Sequence, residues 1–61
     1  SAVRCGLIPA GCHCVAAMVR AMTDNKRMQR AASMACALAQ CRELFERCDC
    51  VGAFFLALDR C

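Results

Sequence analysis

Tryptophan and tyrosine are absent from this 61-residue chain, which holds one proline, three glycines and one histidine. Each shortage excludes something. With few β-branched residues, no tyrosine or tryptophan and no alternating apolar run, there is almost no strand signal. A basic groove with stacking aromatics is missing too, so nucleic acid is not expected as a partner. The one histidine, His13, has no serine, aspartate or glutamate beside it, and no nucleophile, base and oxyanion donors can be assembled around it from the sequence. No catalytic residue is therefore assigned and no enzyme is expected. Long apolar runs are absent: the longest stretch without a formal charge, residues 5–19, is interrupted by Gly6, Pro9 and Gly11 and is too short to span a bilayer.

What is abundant is cysteine. Eight of 61 residues are Cys5, Cys12, Cys14, Cys36, Cys41, Cys48, Cys50 and Cys61, an even number. A cysteine share above about 8–10% in a short chain marks a disulfide scaffold of the extracellular kind. The physical need is plain, because a chain this short buries too little apolar surface to offset about 1.5 kcal/mol per residue of ordering entropy. Only seventeen residues are large and apolar, while twelve are alanine, so the 61% hydrophobic fraction overstates the core. At about 2–4 kcal/mol each, disulfides would supply much of the net stability. All eight cysteines are assigned to disulfides. Beginning at Ser1 without a basic-then-apolar leader, the chain reads as a mature product, secreted and extracellular.

The cysteines repeat. "CGLIPAGCHC" (5–14) and "CRELFERCDC" (41–50) share C-x6-C-x-C at an offset of thirty-six residues. As a metal site, Cys12-His13-Cys14 with Cys48-Asp49-Cys50 would offer thiolate and imidazole ligands, but zinc knuckles space their paired cysteines by two to four residues and here the spacing is one. No metal and no cofactor are expected. The motifs read instead as two equivalent staples, each anchoring a turn to a helix start, with each C-x-C sending its sulfurs to different elements.

The fold class that follows is all-α, a small disulfide-stapled bundle of three helices at about 10–22, 25–47 and 50–60, forming a single domain over 1–61. In the first, Pro9 would occupy the opening position, and Cys14, Val15, Met18, Val19 and Met22 share one face, which makes it the central, most buried helix. "TDN", 23–25, is a turn and restart. The second has the inner stripe Met28, Ala31, Ala35, Leu38, Cys41, Phe45 and Cys48. A break at 47–50 is required, since a helix continuing to Arg60 would run about 54 Å at about 1.5 Å per residue, and Asp49 would cap the third helix. Its stripe is Val51, Phe54, Phe55, Leu58 and Cys61. Antiparallel neighbours across the two turns suit Cys12–Cys36, Cys5–Cys41 or Cys36–Cys61, with the pairing left open.

The closing stretch "RCDCVGAFFLALDRC" resembles the C-x-C-led helix of secreted phospholipases A2. That family has an acid directly after the motif where this chain has Val51, and its His-Asp dyad and calcium loop have no counterpart here. The resemblance carries no catalytic residue and implies at most a noncatalytic subunit or relative. In size, helicity and use of C-x-C the chain also resembles the plant eight-cysteine helical proteins, without their adjacent Cys-Cys pair. That likeness implies a carrier of an apolar small ligand, lined by Val15, Met18, Val19, Met22, Phe54 and Phe55, which read otherwise as core.

Net charge is +3 and unevenly placed: through Gln40 five basic residues meet one acid, and beyond it three meet four. Arg20, Lys26, Arg27 and Arg30 cluster around the first turn and are the candidate target contacts, for a protein receptor or channel or an anionic membrane surface. The expected function is that of a secreted helical peptide binding a macromolecular target, in the manner of a toxin, host-defence or signalling peptide such as a pheromone, without catalysis.

Overall fold

A computed structural model describes residues 6–61. The chain is all-α, with four helices among these residues: α1 Val15–Met22, α2 Lys26–Ala37, α3 Arg42–Glu46 and α4 Cys50–Arg60, and a short 3-10 turn, Ala39–Cys41, leading into α3. The expected helical bundle is present, stapled by a disulfide between Cys12 and Cys48 whose Cα atoms lie 5.6 Å apart. Cys5, and with it the Cys5–Cys41 pairing, lies outside the described residues.

The first helix starts later than the sequence suggests. Gly11 has φ +90°, and Cys12 N–H donates to the Pro9 carbonyl at 3.3 Å, as in a type II turn, where the third residue needs positive φ. Pro9 thus opens a turn, not a helix. Cys14 caps α1, its sulfur accepting from Ala17 N–H at 3.2 Å.

The stretch expected as one helix over 25–47 is divided at Leu38, whose ψ of 128° is extended. An unbroken helix of that span would measure about 35 Å at about 1.5 Å per residue, more than the 27 Å of the molecule's longest axis. The break lets the 3-10 turn and α3 fold Cys41 and Phe45 inward, and both are fully buried.

The core is a cluster of alanines and cysteines with two phenylalanine rings. Ala16 of α1, Ala31, Ala32 and Ala35 of α2, and Cys50, Ala53, Phe54 and Ala57 of α4 share it with Phe45 and Cys41. Helix α2 packs on both α1 and α4. Helices α2 and α4, and not α1, hold most of the core: α1 sends only Ala16 to full burial, while α2 buries Ala31, Ala32 and Ala35 and α4 buries Cys50, Ala53, Phe54 and Ala57.

Helix α4 is turned from its expected face. Its buried line is Cys50, Ala53, Phe54 and Ala57, while Val51 is 47% and Phe55 59% exposed. Both lines have helical spacing; small side chains take the seam because they permit the shorter interhelical distance.

The corner before α4 has a defined build. Cys48 N–H donates to Phe45 O at 2.9 Å and Asp49 N–H to Leu44 O at 2.7 Å, the paired bonds of a Schellman motif. Cys48, at the position glycine usually fills, has φ +57°. Asp49 then caps α4 as expected, accepting from Gly52 N–H at 2.9 Å.

Candidate functional site at the first helical corner

The turn between α1 and α2 is built by short polar side chains. Thr23 N–H donates to Val19 O at 3.1 Å, closing α1. Asn25 N–H donates to Thr23 Oγ1 at 3.1 Å. Asn25 Oδ1 in turn accepts from Arg27 N–H at 3.0 Å and Met28 N–H at 3.2 Å, capping α2. From one turn into α2, Gln29 Nε2 donates back to the Thr23 carbonyl. Thr23, Asn25 and Gln29 therefore hold the corner in one shape. The restart at "TDN" was legible from its cap-forming residues; the Gln29 strut was not, since a glutamine in a helix carries no signal of where its amide reaches.

All four expected cations, Arg20, Lys26, Arg27 and Arg30, are exposed. Lys26 and Arg27 are the first two residues of α2, whose first turn holds no acid. That is an unfavourable place for positive charge, because the helix dipole presents its positive end there, at a cost of about 0.3–1 kcal/mol per charge. Lys26 and Arg30, four apart on one face, add like-charge repulsion. Asp24 is the single acid of the region.

The six residues expected to line an apolar pocket do not share one. Val15, Met18, Val19 and Met22 line an open groove of about 450 Å³ along α1, ending at Thr23 and Asp24. Phe54 is in the core, 4% exposed. Phe55 projects outward, its ring set edge-on to Phe54 at 5.7 Å. Met18 is 53% and Met22 78% exposed. Helical spacing placed these residues on faces correctly, but which face meets the core depended on the neighbouring helices.

The cysteine motifs meet each other. Cys12 is bonded to Cys48 and not to Cys36, which corrects the first of the proposed pairings. Hairpin register applies within regular antiparallel helices, and Cys12 lies before α1, on a turn that carries it to the α3–α4 corner. This bond joins equivalent positions of the two repeats, turn to turn. Cys14 caps α1 and Cys61 is exposed at the end of α4, neither in a disulfide. Cys41 Sγ donates to the Ala53 carbonyl at 3.5 Å. Cys36 is half-buried and Cys50 buried. His13 is exposed, and among the described residues no group of three or more His, Cys, Asp or Glu side chains could hold a metal. Nor is any helix among them long and apolar enough to cross a membrane.

No protein-family model matches the chain, and no curated protein or solved structure is found similar to it.

Proposed function

We propose that this chain is a secreted, non-enzymatic helical peptide that binds a macromolecular target through the α1–α2 corner. The observation that carries the reading is the placement of Lys26, Arg27 and Arg30, exposed on the opening turns of α2 with no acid in its first turn. An arrangement that costs local stability is retained where another demand outweighs it, and binding is the usual one. A disulfide-linked scaffold and a capped corner hold the contact shape in advance, which lowers the entropy lost on association.

The test is saturable binding of labelled, oxidised protein to whole cells, competed by unlabelled protein. Lys26→Glu combined with Arg27→Glu is expected to weaken competition by tenfold or more, on the order of a kilocalorie or more per reversed charge. Unchanged competition would place the contact elsewhere.

A further inference from the structure

We propose that the α1–α2 corner docks end-on to an anionic phospholipid surface, an assignment that rests on the corner being the binding site. Met22 closes α1 at the very tip, 78% exposed, and Met18, 53% exposed, lies one turn behind it. Around this apolar tip stands a cationic collar. Lys26 and Arg27 begin α2 four and five residues after α1 ends, and Arg20 and Arg30 lie two and four residues back along their helices. At about 1.5 Å per residue the backbone of each of the four lies within about 6 Å, along its own helix axis, of the helix end that faces the corner.

That spacing matches the chemistry of an interface. Apolar side chains of a surface-bound helix enter about 5–10 Å into the headgroup and acyl boundary, while lysine and arginine stay at headgroup level. Methionine suits such a tip, being long, unbranched and adaptable. A phosphate-bearing surface also answers the unfavourable charge placement on α2, by supplying the negative partners the chain itself lacks there. Asp24 is the one element opposed to the assignment, since it brings a negative charge to the same tip, and it therefore makes a sharp control.

The probe is cosedimentation of the oxidised protein with vesicles of phosphatidylcholine alone or mixed with phosphatidylglycerol. The protein is expected to sediment with the mixed vesicles at low ionic strength, to be released by salt, and to ignore the zwitterionic ones. Lys26→Gln should lower partitioning about fivefold, from about one kilocalorie per cation near such a surface. Met22→Ser should lower it about tenfold through lost apolar insertion. Asp24→Asn should raise it about fivefold. Arg42→Gln, beyond the far end of α2, removes the same net charge and should change it less than twofold. Equal losses for Arg42→Gln and Lys26→Gln, or no sedimentation of the unaltered protein with mixed vesicles, would overturn the lipid assignment. If vesicles fail to bind while Lys26→Glu with Arg27→Glu abolishes cell binding, the target is a protein and only the lipid assignment falls. If cell binding also ignores the reversal, both fall. Circular dichroism on each variant confirms that these exposed substitutions leave the helices intact.

Discussion

Two residues at the α3–α4 corner show how much a single position can carry. Cys48 occupies the left-handed region, φ +57°, where a side chain costs about 1–2 kcal/mol relative to glycine, yet it must be cysteine to reach Cys12. The two demands separate in variants that lack the bond. With Cys12→Ser in both, Cys48→Gly is expected to be more stable than Cys48→Ser by about 1 kcal/mol in urea melts. A reversed order would mean that the corner rearranges once the bond is gone. Next to it, Asp49 and Gly52 are coupled: a Cβ at position 52 would collide with the Asp49 carboxylate that caps α4. Asp49→Ala should cost about 1 kcal/mol. Gly52→Ala should be nearly neutral, since its gain of up to about 1 kcal/mol in helix propensity is offset by the displaced cap. In the Asp49→Ala background the same change should stabilise, so the double-mutant cycle reads a coupling of about 1 kcal/mol.

Among the elements, α4 is the clearest case of a pattern read correctly in period and wrongly in phase. Two overlapping stripes with the same spacing run along it and share Phe54; the one that also holds the smaller Cys50, Ala53 and Ala57 is buried. Ala57 is fully buried, and native cores are packed with little room for added methylenes. Ala57→Leu, which raises the hydrophobicity of the helix, should therefore destabilise by about 1–3 kcal/mol. Phe55→Ala, which lowers it, should cost about 1 kcal/mol or less, because the ring is mostly in water and loses mainly its edge contact with Phe54. Thermal or urea melts of both variants check the assignment, and the opposite order would restore the large-residue stripe to the core. The break at Leu38 has a related origin. No proline or glycine marks it in the sequence; the chain bends because Phe45 and Cys41 gain a fully buried environment only if α3 leaves the line of α2.

For the whole molecule, the Cys12–Cys48 bond closes a loop of 36 residues, joining the turn before α1 to the corner before α4. Constraining the unfolded chain over such a loop contributes about 4 kcal/mol on the chain-entropy model. That is a large share of the net stability of a small domain. Cys12→Ser with Cys48→Ser is expected to lose about 3–4 kcal/mol in denaturant melts, with the slope rising as the unfolded state expands. A loss below about 1 kcal/mol would show that the bundle holds without this bond. The radius of gyration, 10.0 Å, is close to the roughly 10.5 Å expected for a packed chain of this length, so the bond fastens a chain that is already densely folded.

Much of this was legible in the sequence for a physical reason: helix formation, capping and turn chemistry are local, and they act within three or four residues. The all-α class, the restart at 23–25 and the Asp49 cap all follow from such short-range rules, and the stop at 47–50 from chain length, since a 61-residue globule cannot cover so long a helix. So does the clustering of Arg20, Lys26, Arg27 and Arg30, since charges around a turn stay together however the helices pack. Tertiary structure decided the rest. The phase of α4, the shallow burial of α1, the exposure of Met18 and Met22, the bend at Leu38 and the partner of Cys12 depend on which surfaces meet at the shortest distance. Close approach of helices is set by small side chains on neighbours distant in sequence, and periodicity within any one helix does not contain that information.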